Sequence, residues 1–158
     1  MKKEMVKYMV AALAMISFLS GCRNDSHEPQ GAISPGAVFT RWGATQSEVM
    51  DFMNNGSMVY MDDGFICYNG TGNVKTVSYR LENDSLLESM VIMPEDATSL
   101  SDVQATFRNF EHLGERNNAE VYVNRASNTI VTISQETYGG ASYYVVGYAA
   151  LDMSRIQQ

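Results

Sequence analysis

The chain has 158 residues, with 18 acidic side chains against 11 basic ones and a formal net charge of −7. Such a balance repels phosphate backbones and argues against nucleic acid as a partner. It also gains nothing from anionic lipid headgroups, so any hold on a membrane has to come from elsewhere.

The first residues read as a targeting segment. Lys2, Lys3 and Lys7 supply positive charge, and an apolar run from Tyr8 to Leu19 follows. That run is short for a bilayer span and ends in small residues. Leu19-Ser20-Gly21-Cys22 resembles the bacterial lipobox. The resemblance implies that residues 1–21 are a lipoprotein signal peptide and that Cys22 is acylated and becomes the first residue. Several acyl chains on that cysteine are implied as well, and stable anchoring needs more than one. What remains has 137 residues, since Glu4 and three lysines go with the signal, and carries 17 acids against 8 bases, a charge of −9. That is enough chain for one domain with a real core. With Cys22 acylated, Cys67 has no partner, which excludes an intrachain disulfide and a cysteine-rich metal site. Cys67 lies in the apolar run Phe65-Ile66-Cys67-Tyr68 and reads as a buried, inert thiol.

Residues 22–40 read as a flexible tether, polar and without apolar periodicity, with Pro29, Gly31, Pro35 and Gly36 in it. Asp25 and Glu28 are faintly similar to the surface-export signals of Bacteroidota lipoproteins. The expected location is the cell envelope, lipid-anchored, at the outer membrane. A single domain follows over residues 41–158.

That domain opens with Trp42-Gly43, the Trp placed to pin the incoming chain to the core. Thr45 and Glu48 have capping-box spacing, and Val49, Phe52 and Met53 recur at helical spacing, predicting a helix over 46–54 ended by Asn55-Gly56. Short apolar runs follow at Met58–Met61, Phe65–Tyr68, Val74–Leu81 and Leu86–Met93, separated by Asp62-Asp63-Gly64, Asn69-Gly70-Thr71-Gly72 and Glu82-Asn83-Asp84-Ser85. These are hairpin markers. The pattern then returns 54 positions later. Ser99 and Asp102 lie over Thr45 and Glu48, and Val103, Phe107 and Phe110 form the second stripe of a helix over 100–110. A weak strand surrounds His112-Leu113. Val121–Asn124, Thr129–Gln135 and Ser142–Leu151 complete the set, with Gly139-Gly140 turning the last hairpin. Without a gap, Tyr68 meets Tyr122, Val77 meets Val131 and Val91 meets Val145.

The expected fold is α+β: two tandem helix-plus-four-strand repeats, about 44–97 and 98–151, forming an antiparallel sheet with the helices on one face. Val77, Tyr79 and Leu81 should lie under the helices with Val131 and Ile133. Thr76, Ser78 and Arg80 should face the other way with Ile130, Thr132 and Ser134. The last strand, Tyr143-Tyr144-Val145-Val146-Gly147-Tyr148, is apolar on both sides. Ser78, Arg80, Thr132, Ser134 and Tyr144 are the candidate partner-binding residues.

Gly43-Ala44-Thr45-Gln46-Ser47-Glu48-Val49 resembles the helix opening of small envelope lipoproteins of the SmpA/OmlA type. The tandem helix-plus-four-strand plan is similar to the β-lactamase inhibitor protein (BLIP-like) fold. The resemblance covers about residues 42–151 and implies a protein-binding role. No individual contact residue of that inhibitor matches here.

Catalytic patterns are sparse. His27 falls in the tether and His112 at the end of the second helix. Gly-x-Ser-x-Gly, His-Glu-x-x-His and phosphate-cradling glycine loops do not occur. Asp62-Asp63-Gly64 is too short for a calcium loop. Glu82 and Asp84 are a carboxylate pair on a turn, where solvated charge is ordinary. Asp84-Ser85-Leu86 looks like the short O-glycosylation sequon of Bacteroidota secreted proteins. The expectation is a membrane-tethered, non-enzymatic protein-binding module without cofactor or metal, engaging an envelope or extracellular protein. The alternative is a glycan or small-molecule binder, hydrolytic in one version. That reading requires a deep pocket near Glu82 or Asp84.

Overall fold

The structure, a computed structural model, describes residues 38–54 and 56–152. The expected signal segment, Cys22, His27, most of the tether and Asn55 lie outside the described residues.

Two short helices form where the cap spacing predicts them. Helix α1 spans Gln46–Phe52 and begins with a complete capping box. The Glu48 N–H donates to Thr45 Oγ1 and the Thr45 N–H donates to Glu48 Oε2 at 2.8 Å. Asp84 then accepts the Gln46 N–H at 2.8 Å, satisfying another orphan donor of the first turn. Helix α2 spans Leu100–Ala105, capped by Ser99, whose Oγ accepts from the Asp102 N–H at 3.2 Å. Both are shorter than expected. Met53 leaves helical geometry, and residues 106–110 fold as turns closed by the Phe110 N–H on the Phe107 carbonyl. Helices of 7 and 6 residues cannot persist alone, since isolated helices need roughly 12–15 residues. Burial of Val49, Met53, Val103 and Phe107 holds them.

Eight strands follow the expected hairpins: β1 Met58–Asp62, β2 Phe65–Asn69, β3 Thr76–Glu82, β4 Ser85–Pro94, β5 Glu111–Arg116, β6 Ala119–Asn124, β7 Thr129–Tyr138 and β8 Ala141–Ala150. They form one sheet in the order β1-β2-β3-β4-β8-β7-β6-β5, every neighbour antiparallel. Two-residue turns carry four of the hairpins, Asp63-Gly64 being the first. Asn83-Asp84 and Asn117-Asn118 take positive φ, as does Gly139-Gly140. Asparagine and aspartate tolerate that region better than other residues with a Cβ.

The registers show where the 54-residue overlay holds. Tyr68 pairs with Val77 as Tyr122 pairs with Val131, and Asp62 pairs with Phe65 as Arg116 pairs with Ala119. Even the irregularity of β1 between Met58 and Tyr60 recurs in β5 between His112 and Gly114. The overlay breaks in the last hairpin. Val91 lies opposite Val77, but Tyr148, not Val145, lies opposite Val131. The displacement there is three residues. An odd shift turns every side chain of a strand to the other face.

One large core occupies one side of the sheet. Val49, Met53, Val103 and Phe107 join Val77, Tyr79, Leu81, Val91, Val131, Ile133, Tyr144, Val146 and Tyr148 in a single buried cluster. Trp42 packs on its rim and donates from Nε1 to Thr129 Oγ1 at 3.2 Å, tying the start of the domain to β7. The core also holds a polar group. Ser89, opposite Tyr79 and Tyr148 in the two flanking strands, is buried and donates to the Phe39 carbonyl at 2.8 Å. That bond removes the penalty of an unpaired buried hydroxyl.

Candidate binding face

The sheet face opposite the large core can be traced from the registers. One row crosses it through Cys67, Ser78, Met90, Gly147, Thr132 and Val121. A second row holds Phe65, Arg80, Glu88, Ala149 and Ile130. The expected polar set is therefore brought together in part. Arg80, Thr132 and Ser134 are half-buried on this face.

Two expected contact residues are placed elsewhere or covered. Tyr144 lies opposite Met93 and Gln135 and belongs to the large core, on the other side of the sheet. Its placement follows from the three-residue displacement of β8: a gapless overlay sets Tyr144 over Met90, on the opposite face from where it lies. Ser78 has the expected orientation but is only 1% exposed, flanked by Cys67 and Met90. Thr76 on the same strand is likewise buried.

Aromatic and apolar side chains share this face with the polar set. Ile92 and Tyr143 form a second, small buried cluster, with Phe65, Met90 and Tyr138 packed against it. Lys75 Nζ lies 5.1 Å from the centroid of the Tyr143 ring and donates to its hydroxyl at 3.4 Å. A cation over a tyrosine ring is attracted by the ring quadrupole. Arg80 Nε donates to Glu88 Oε2 at 2.8 Å, a charge-assisted bond whose carboxylate is the more covered partner. The signal for this cluster is the parity of the last strand: Tyr143, not Tyr144, shares the face of Ile92.

The remaining candidate residues have structural roles. Cys67 is buried. His112 belongs to β5 rather than to a helix end, stacks on Tyr122 at 4.6 Å between ring centroids, and meets Glu120 through Nε2. Asp84 is engaged by α1. Ser85 of the sequon is half-buried, its Oγ close to Gly43. Among the described residues no three His, Cys, Asp or Glu side chains converge on a metal site, and no helix is long and apolar enough to cross a membrane. A small cavity of about 140 Å³ lies between Val38, Phe107, Phe110 and Tyr148, away from Glu82 and Asp84. Ligand pockets usually enclose about 300–1,000 Å³. Tyr79 and Tyr148 are buried deeply enough that desolvation pushes both phenols well above the ordinary tyrosine value.

No family model matches the chain, and neither a curated protein nor a solved structure does.

Proposed function

We propose that this protein is a lipid-tethered envelope module that binds another protein through the sheet face opposite its core. The carrying observation is the set Phe65, Met90 and Tyr138, half-buried on that face over the buried pair Ile92 and Tyr143 and edged by Lys75 and the Arg80–Glu88 pair. Aromatic residues, methionine and arginine are the side chains enriched where proteins meet. The tether is the reading of Leu19-Ser20-Gly21-Cys22, with Cys22 as the acylated residue.

The same proposal includes a duplicated architecture of BLIP-like type, both helices covering the core face. Two observations support it. Registers of β1–β2–β3 and β5–β6–β7 coincide on a 54-residue shift, irregularity included. Strands β4 and β8 meet at the middle of the sheet with Met90 opposite Gly147, each standing in the other's place under a two-fold relation. Such an arrangement keeps the helices off the opposite face, where Phe65, Arg80, Met90, Thr132 and Ser134 are half-buried and within a partner's reach.

The test is capture of an envelope protein by the full chain in detergent. Wild type and the Arg80→Glu and Met90→Lys variants serve as bait. Both changes should weaken retention of one defined protein by at least about tenfold, the scale of a hot-spot residue. Equal retention by all three baits refutes the face. Metabolic labelling with a fatty acid should mark wild type and leave Cys22→Ala unlabelled.

A further inference from the structure

The two edges of the sheet are built differently. Strand β5 is guarded: Glu111, His112, Glu115 and Arg116 occupy it, Glu111 pairs with Arg125 and His112 with Glu120. Charged side chains are how proteins keep edges from pairing. Strand β1 reads Met58-Val59-Tyr60-Met61-Asp62, with one charge at its end. Met58, Val59 and Met61 are 39%, 38% and 48% exposed. With Phe52 at the end of α1 they make up four of the five large exposed apolar side chains among the described residues. Gln46 of α1 reaches Met61 Sδ at 3.8 Å, so helix and edge present one continuous surface.

We infer that β1 is a self-association edge whose occupant is β1 of a second copy of this chain, paired antiparallel about Tyr60. The strand is complementary to itself in that register. Val59 then faces Met61 of the second copy, and Asp62 faces Met58, so no like charges stand opposite each other. The guarded edge decides the stoichiometry. A β1–β1 contact is isologous and closes at two copies, whereas β1 against the charged β5 would propagate into a filament. The association is weak. A strand of this length spans only about 17 Å, and the irregularity between Met58 and Tyr60 interrupts a straight ladder. Its buried area falls below the ~1,000 Å² of stable solution complexes. Tyr60 borders the proposed binding face, opposite Cys67 and with its ring 6.0 Å from that of Phe65, but the pairing uses the outer backbone edge of β1 and does not depend on that face.

Cysteine crosslinking of the full chain tests it, with wild type as background for the native cysteines. Tyr60→Cys should form a dimer whose yield rises with protein concentration, and adding Met61→Lys should reduce that yield at least about tenfold. Glu115→Cys, at the place on β5 that corresponds to Met61, should stay at background. A mixture of Met58→Cys and Asp62→Cys chains should crosslink only to each other, which reads the same register without altering Tyr60. Absence of dimer from both the Tyr60→Cys chain and the mixture overturns the inference. Equal yield from Glu115→Cys, or Tyr60→Cys crosslinking only to other proteins, overturns it too.

Discussion

The first three strands of the domain's first half and those of its second reach the same registers with different side chains. Beneath the first helix sits Met53, whose sulfur accepts the Tyr79 hydroxyl at 3.3 Å. At the corresponding place in the second half sits Phe107, with Phe110, Tyr122 and Tyr148 at ring distances of 5.4, 5.8 and 6.0 Å. At the helix starts, Glu48 closes a full capping box. Asp102, one methylene shorter, instead takes the Ser99 hydroxyl at 2.6 Å. The strand ladders tolerate such changes because their register depends on which face is buried, not on which apolar residue fills it.

The sharpest way to break this comparison is to empty each anchor in turn. Phe107→Ala should cost about 3–5 kcal/mol and Met53→Ala about 2–5 kcal/mol, the aromatic loss being the larger. Both halves contribute to one core, so either variant should unfold in a single transition in denaturant. Two separated transitions would show that the halves are energetically independent.

A smaller effect comes from Tyr79 and Tyr148, one in each half. Each holds its proton more tightly in the fold than in the unfolded chain, because burial penalises the phenolate. Their contribution is complete below the ordinary tyrosine pKa of about 10 and is lost as pH rises toward the raised folded values. Stability should fall by up to about 1.4 kcal/mol per tyrosine per pH unit above that point. Phenolate absorbance during alkaline titration should show these two rings ionising only as the protein unfolds. Replacing both with Phe should flatten the loss.

The smallest contrast is at the caps. Thr45→Ala should cost about 1–2 kcal/mol and Ser99→Ala about 0.5–1 kcal/mol, measured as shifts in thermal midpoint. Glu48→Ala, which removes the acceptor of the Thr45 N–H, should likewise cost more than Asp102→Ala, and equal costs there would mean that this extra bond contributes nothing.

Features set by near neighbours in the chain were legible in the residues. Thr45 with Glu48, Ser99 with Asp102, the hairpin at Asn83-Asp84 and the alternation of Val77, Tyr79 and Leu81 are all local, and each lies where residue chemistry places it. The Asn117-Asn118 turn is equally local, two residues that tolerate positive φ. The burial of Ser78 and the satisfaction of Ser89 by Phe39 were not readable, because each depends on residues distant in the chain.

The residues alone determined the elements, the turns and the acidic character, since capping, left-handed turn conformations and period-two alternation act over a few positions. Only the tertiary structure decided that β4 pairs with β8 and that β8 sits three residues from the gapless overlay. Both are choices among pairings that local patterning leaves nearly equal, and burial of Tyr144, Val146 and Tyr148 against the core selects between them. From that selection follows the face on which Tyr143 lies, and with it the surface proposed to meet a partner.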